Sequence, residues 1–148
     1  MTPRFHRLRI AEVRRETPES VSLAFEVPPA LAAEYRFEPG QHLNLRAWLD
    51  GEELRRSYSI CSGLDDGELR IAIKKVPGGR FSAWAVDNLR AGATLEVMTP
   101  EGRFHAPLSA AHEKHYVAFA AGSGITPILS LAKSVLAREP RSRFTLVY

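Results

Sequence analysis

The spacing of apolar residues changes once along this chain of 148 residues, and that change limits the folds available to it. Before about residue 110, apolar and polar residues alternate in short segments separated by turn signals, which is typical of half-buried strands. Residues 116–121 are instead a continuous apolar run, followed by a glycine-rich turn and a helical pattern. The sequence therefore predicts an antiparallel β unit followed by the start of a parallel α/β unit.

The β unit is predicted to hold six strands and one helix. Alternation is strictest at residues 21–27, and further strands are predicted at residues 8–13, 41–48, 56–61, 68–75 and 95–97. Asp50-Gly51 and Asp66-Gly67 are hairpin signals. Residues 80–89 have apolar side chains at helical spacing. This pattern predicts a six-stranded antiparallel Greek-key barrel with one helix over residues 1–108.

Residues 109–148 are predicted to hold a first βαβ unit. The apolar run at 116–121 is typical of a strand covered on both faces, and residues 144–148 predict a second buried strand. Between them, Thr126 is a candidate N-cap with Pro127 at the first helical position. Because one βαβ unit leaves sheet faces and edges bare, we expect this to be the front portion of a longer protein. Residues 108–115 are the candidate linker.

Composition excludes several classes of protein. With one cysteine, Cys61, the chain has no internal disulfide, no Cys-x-x-Cys zinc site and no iron–sulfur cluster of its own. His112 and His115 lack a nearby third ligand, so no metal site is predicted. No apolar stretch reaches membrane-spanning length and the first residues lack a signal-peptide core, which predicts a cytoplasmic protein without a membrane partner. A net charge of +3 does not by itself indicate nucleic acid.

The first motif that carries chemistry is Arg56-Ser57-Tyr58-Ser59, on the predicted fourth strand. Alternation places Arg56 and Tyr58 on one face and the two serines on the other. An arginine can bind a phosphate bidentately while a neighbouring aromatic ring supports a flat ligand. The alternative is an ordinary exposed strand face.

The second motif, Gly78-Gly79-Arg80-Phe81-Ser82, opens the predicted barrel helix. Glycines permit a close approach of the backbone, and the N-terminus of a helix offers free N–H groups to an anion such as a pyrophosphate. The alternative is a plain loop-to-helix turn.

The third motif, Gly122-Ser123-Gly124-Ile125-Thr126-Pro127, lies between the apolar run and the second helix. This context is typical of a nucleotide-binding turn, although Pro127 departs from the G-x-G-x-x-G pattern. A hydrolase nucleophile elbow would need glycines where Ala121 and Ile125 stand, so that interpretation is poor.

The order of these motifs resembles the ferredoxin–NADP reductase superfamily, in which an FAD-binding barrel precedes a nicotinamide-nucleotide domain. Within it, residues 35–62, 78–82 and 122–127 look closest to the reductase subunits of phenylacetyl-CoA epoxidase systems. The resemblance implies an NAD(P)H-dependent flavoprotein oxidoreductase. It also implies hydride transfer to flavin N5 in the intact parent protein, followed by one-electron steps through an iron–sulfur domain that this chain lacks. We expect this chain to hold FAD and to bind NAD(P)H poorly.

Site residues are implied by the same resemblance. Tyr58, Ser59 and Thr126 would be catalytic, lying against the isoalloxazine, near flavin N5, and between flavin and nicotinamide. The other cofactor contacts would come from His42 on the adenine side, Arg56 and Ser57 on the fourth strand, Ile73, Lys74 and Val76 at the flavin edge, Gly79, Arg80, Phe81 and Ser82 around the diphosphate, and Gly122, Ser123, Gly124, Ile125 and Pro127 in the nucleotide turn.

The implied partner is a di-iron oxygenase or another electron-acceptor protein, with no nucleic acid. The alternative function is a non-enzymatic basic β-barrel module that binds single-stranded nucleic acid or a protein. Such a module would stack bases on aromatic side chains such as Tyr58 and Trp48 in a charged groove. The arginines at positions 4, 7, 9, 14 and 15 are best explained as the solvated side of the first strand, and a surface that binds an acidic protein is the alternative.

Overall fold

A computed structural model describes residues 2–148. Its strands are β1 (Phe5–Thr17), β2 (Ser20–Glu26), β3 (His42–Leu49), β4 (Glu52–Ser59), β5 (Leu69–Lys74), β6 (Thr94–Met98), β7 (His115–Phe119) and β8 (Arg143–Val147). The α-helices are α1 (Arg80–Asn88) and α2 (Ile125–Arg138), and short 3-10 turns cover Pro29–Leu31 and Gly122–Gly124. None of the helices in this part of the chain is long and apolar enough to cross a membrane.

The first six strands form one antiparallel sheet in the order β4-β3-β6-β1-β2-β5. The sheet curls around a core in which side chains such as Leu8, Leu23, Leu43 and Ile71 are fully buried. Phe81 of α1 is also fully buried and packs against this core. The six-stranded Greek-key unit with one helix, predicted from the alternation, is confirmed.

β2 differs from the half-buried strand that strict alternation predicts. Ser22 and Ala24, on its second face, are 3% and 5% exposed, so both faces are covered. The cover includes Arg70, whose Nη1 donates to the Ser22 hydroxyl at 2.8 Å and whose Nε donates to Glu68 at 2.8 Å. A paired arginine can thus bury a polar strand face, which periodicity alone does not reveal.

β7 and β8 are parallel, and with α2 between them they form the predicted βαβ unit. The prediction that these strands are buried on both faces is wrong. Phe119 is 77% exposed, Tyr148 75% and Val147 48%. In residues 2–148 a single helix covers one face of this two-stranded sheet, so the alternate apolar side chains face solvent.

The start of α2 also differs from the sequence prediction. The helix begins at Ile125, because the 3-10 turn at Gly122–Gly124 leads directly into it. Thr126 is therefore inside the first turn, and its hydroxyl donates to the Ser123 carbonyl at 2.9 Å rather than capping the helix. Pro127 is tolerated two positions later than predicted, at the third helical position, since the N–H groups of the whole first turn lack helical partners.

Serines join α2 to the barrel. Leu129 and Leu136 are exposed, whereas Ser130 and Ser134 are fully buried. The Ser130 hydroxyl donates to the Ser62 carbonyl at 2.6 Å, and Ser134 accepts from the Leu64 N–H at 3.0 Å. Ion pairs surround this contact, from Arg138 to Asp65 at 3.0 Å and from Lys133 to Asp66 at 2.7 Å.

Glu139 connects the segments of the α/β unit. Its side chain is fully buried, and its carboxylate accepts hydrogen bonds from the Ser109 N–H at 3.1 Å, the Tyr116 hydroxyl at 3.1 Å and the Ser142 hydroxyl at 2.7 Å. His112 Nδ1 lies 2.7 Å from the same carboxylate. Burial raises the pKa of Glu139, but the hydrogen bonds that it accepts outweigh burial and hold its pKa at about 2.

We expect this carboxylate to make the α/β unit sensitive to acid. A carboxyl whose folded pKa is depressed stabilises the fold fully above its ordinary pKa of 4.5, and this contribution is lost as pH falls toward about 2. Glu139→Gln should lower the thermal unfolding midpoint at pH 7 and flatten its dependence on pH between 4.5 and 2. Glu113→Gln is the control, because Glu113 is exposed and only loosely paired with Arg141, at 3.8 Å. Equal acid sensitivity of Glu139→Gln and wild type would contradict this role.

Candidate functional site

The barrel has an incomplete seam between β4 and β5. Asp66-Gly67 predicts a hairpin there, but the two strands lie at opposite ends of the sheet order. In the described residues they are joined just beyond β4, by the bridge between Ile60 and Ile71 and by the Arg70 N–H, which donates to the Ser62 hydroxyl at 3.1 Å. The chain reverses direction between Cys61 and Arg70, as Asp66-Gly67 predicts, but the pairing that follows is short, because the connection from β4 turns toward α2. The sheet therefore closes at one point and is open beyond it.

Arg56 and Tyr58 lie along the open part of this seam. In the antiparallel register they are paired with Leu45 and Leu43, which are fully buried, so both point to the core-facing side of β4. Arg56 is nevertheless exposed and Tyr58 half-buried, since β5 does not cover them. The predicted fourth strand, 56–61, is shifted, because β4 runs from Glu52 to Ser59. The shared face of Arg56 and Tyr58 agrees with alternation.

The N-terminal end of α1 borders the same opening. The Tyr58 and Phe81 rings are 6.1 Å apart between centroids and inclined by 31°. Phe81 in turn contacts the Trp84 ring edge-on at 5.6 Å. Burial raises the pKa of Tyr58, so its phenol remains neutral at physiological pH. The result is a cluster of three aromatic rings, in which Phe81 is fully buried and Tyr58 and Trp84 are half-buried.

The loop before α1 is held close to the helix. The Ser82 hydroxyl accepts the Val76 N–H at 3.0 Å. A Cβ added at Gly79 would lie 2.7 Å from the Ser82 Oγ and 3.0 Å from the Val76 carbonyl, so only glycine fits without a shift. The first turn of α1 has no acidic residue, and its positive dipole end is not balanced there. This arrangement can bind an anion such as a phosphate.

β5 ends with Ile73 and Lys74, and Val76 lies in the loop that leads from this strand to α1. Ile73 is fully buried, whereas Lys74 and Val76 are exposed. A cavity of about 520 Å³ borders the loop and is lined by Lys74, Val76, Gly78 and Gly79 among others. A larger cavity, about 820 Å³, lies near Leu69 at the far end of β5 and contains none of the predicted site residues. The smaller cavity includes Gly78 and Gly79 of the second motif, whereas Arg56 and Tyr58 line neither cavity.

Ser57, Ser59 and His42 point to the opposite face of β4 and β3. The Ser57 hydroxyl donates to the Asn44 amide oxygen, and the Asn44 amide donates to Glu101. His42 is paired with Ser59 in the register, and its Nε2 lies 3.5 Å from Glu101. Asn44 and Glu101 were not predicted from the sequence. Asn44 carried a usable signal, because it is a polar residue at an outward position of β3, directly opposite Ser57 on β4.

The nucleotide-turn residues lie at the carboxyl end of β7, where α/β folds commonly bind ligands. Gly122 has φ +54°, a left-handed conformation that favours glycine. Gly122, Ser123 and Gly124 are exposed, while Ile125, Thr126 and Pro127 are half-buried in the first turn of α2. The turn therefore presents backbone rather than bulky side chains to solvent.

The aromatic side chains do not form a stacking platform for nucleic acid. Trp48 is 62% exposed but is paired with Glu53 on the outer face of the barrel. Tyr58 lies on the core-facing side of the neighbouring strand. Bases stacked on one ring would not reach the other, so this arrangement gives no support to the nucleic-acid alternative.

Comparison with known proteins decides the family. A model of the oxidoreductase FAD-binding domain family matches residues 7–106, which include most of β1, all of β2 to β6, and α1. The chain belongs to this family. The FAD-binding domain is thus part of the ferredoxin–NADP reductase superfamily, as the order of the motifs predicts.

This FAD-binding domain is similar to parts of three larger proteins. A subunit of 1,2-phenylacetyl-CoA epoxidase from Escherichia coli K12 is 51% identical over 97% of this chain and 40% of its own length. The ferredoxin reductase component of 3-ketosteroid-9-alpha-monooxygenase from Rhodococcus rhodochrous is 37% identical over 95% and 40%. The structure of phthalate dioxygenase reductase superposes with a TM-score of 0.75 and 32% identity over 96% and 42%. The chain spans about two-fifths of the length of these relatives.

Proposed function

We propose that this chain is the FAD-binding part of a reductase that takes electrons from NAD(P)H and passes them to an oxygenase component. The observation that carries the proposal is the open seam of the barrel, where Arg56 and Tyr58 share the core-facing side of β4 and the Tyr58 ring lies beside Phe81 in the first turn of α1. The relatives support it, because two are named as a subunit of an epoxidase and a reductase component of a monooxygenase. We further propose that the oxygenase is a di-iron enzyme of phenylacetate degradation.

The residues at the seam suit FAD in charge and shape. Arg56 would bind the diphosphate from one side, and the N–H groups at Gly79–Ser82 would bind it from the other. Tyr58, supported by Phe81, would lie flat against the isoalloxazine, with Ile73, Lys74 and Val76 along its edge. When bound, FAD supplies the capacity to accept two electrons and to release them singly. Arg80 is paired with Glu52 in this structure and would bind the diphosphate once that ion pair breaks.

The remaining predicted residues have less direct support. Ser59 ends β4 and would reach the flavin only from the strand end, while Ser57 and His42 face the outer side through Asn44 and Glu101. We propose that Gly122–Gly124 and Thr126 begin the nicotinamide-nucleotide site. The division into an FAD part, residues 1–108, and a nucleotide part from residue 109 belongs to the same proposal. The cytoplasmic location and the absence of nucleic-acid and membrane partners stay predictions.

The test is a visible absorption spectrum of the purified chain after incubation with FAD and desalting. A retained, shifted flavin band is expected, at about one FAD per chain. A folded protein that emerges colourless and does not quench flavin fluorescence would contradict the proposal. Addition of NADH or NADPH to the loaded protein then measures how well the nucleotide turn functions, and weak bleaching is expected.

A further inference from the structure

The tip of the β3–β4 hairpin contacts the residue that opens α1. Asp50 and Gly51 form the turn, with φ values of +52° and +78°. This turn brings Glu52 against Arg80, with Arg80 Nη1 2.5 Å from the Glu52 carboxylate. Arg80 Nη2 also donates to the Leu49 carbonyl at 3.4 Å. Both terminal nitrogens of Arg80 are therefore directed to the hairpin.

A carboxylate and a phosphate are alternative partners for one guanidinium. Both offer paired oxygens to the planar N–H groups of arginine, and an arginine held by a carboxylate has fewer donors left for a phosphate. The pair is also accessible, because Arg80 is 47% and Glu52 61% exposed. Exposed ion pairs contribute little to stability, so a doubly charged diphosphate can displace this one.

The local sequence explains why this contact forms. The first turn of α1 carries no acidic residue, so its positive end and Arg80 lack a negative partner within the helix. The hairpin tip supplies that charge through Glu52 and, at 3.9 Å, through Asp50. Glu53, one residue further along, points to the outer face, where it pairs with Arg55 and Arg46. Glu52 and Glu53 are therefore adjacent in sequence but face different arginines.

We propose that Glu52 competes with the FAD diphosphate for Arg80, so that the hairpin tip is released from α1 when FAD binds. The inference rests on the proposed FAD site and adds a residue that weakens binding rather than supporting it. Glu52 thereby holds the Arg80 guanidinium in the free protein.

The test is a titration of the full chain with FAD, followed by flavin fluorescence, for wild type, Glu52→Gln and the control Glu53→Gln. Removal of the competing charge should lower the Kd for FAD by about two- to fivefold, the range expected from one exposed ion pair. Glu53→Gln should leave the Kd unchanged. The gain from Glu52→Gln should shrink as ionic strength rises, because salt screens exposed charges.

A double-mutant cycle tests whether Glu52 changes the Kd for FAD through Arg80. In an Arg80→Ala background, Glu52→Gln should no longer change the Kd, since the contested guanidinium is absent. An unchanged or higher Kd for Glu52→Gln, or the same gain with Arg80 removed, would overturn the competition while leaving FAD binding by wild type intact. Failure of wild type to bind FAD at all would instead overturn the proposed function, and the competition with it.

Discussion

Replacing Arg56 by alanine is expected to raise the Kd for FAD by about ten- to 150-fold. Hydrogen bonds to charged groups contribute about 1.5–3 kcal/mol, which corresponds to that range. Arg56 is exposed on the core-facing side of β4, and the one hydrogen bond of its side chain within the described residues is from Nη1 to the Arg55 carbonyl, at 2.6 Å. Its charge is therefore free to bind the diphosphate. Titration of the variant with FAD, followed by flavin fluorescence, measures the change.

Arg55→Ala is the matched control, because it removes the same side chain one residue away. Arg55 points to the outer face, where it pairs with Glu53 at 2.5 Å and lies over the Phe5 ring. Its loss should change the Kd by less than about twofold, as expected for an exposed pair. Equal losses for both variants would mean that general positive charge, rather than the position of Arg56, promotes binding. An unaltered Kd for Arg56→Ala would contradict the assigned site.

Structural features that are determined by residues close together in the chain could be predicted from the sequence. The shared face of Arg56 and Tyr58 follows from strand periodicity, and the start of α1 after Gly79 follows from glycine and helical spacing. The parallel β7–α2–β8 unit is similarly indicated by a change in hydrophobic pattern. In each case the relevant signal is carried by residues close together in the chain.

Features that depend on distant partners could not be predicted in this way. The connection between β4 and β5 binds α2 through Ser62 and Leu64, so the local signal at Asp66-Gly67 indicates the turn but not how far the two strands pair. Burial of Ser130 and Ser134 results from the barrel loop that they bind. The pairing of Arg80 with Glu52 joins residues 28 positions apart. Periodicity reports which face is apolar and does not report what lies against it.

Phe81→Ala is expected to cause the largest loss of stability at the site, about 3–5 kcal/mol in the free energy of unfolding. Phe81 is fully buried and belongs to the barrel core, so truncation leaves a cavity that its neighbours fill only in part. Because domains of this size are stable by about 5–15 kcal/mol, a partly unfolded variant would agree with this expectation. Chemical denaturation followed by circular dichroism measures the change. Phe104→Ala is the control, since that ring is 57% exposed and its loss should cost about 0.5 kcal/mol or less.

Phe81→Leu separates the role of this ring in the core from its role in the site. Leucine keeps most of the apolar volume, so the loss in unfolding free energy should be clearly smaller than for alanine. The contact between the Tyr58 and Phe81 rings, at 6.1 Å, is lost in either variant. If Phe81 holds Tyr58 flat for the isoalloxazine, Phe81→Leu should remain folded and yet bind FAD several-fold more weakly. A folded Phe81→Leu variant with the wild-type Kd would show that Phe81 serves the core alone, and that Tyr58 keeps its orientation without the neighbouring ring.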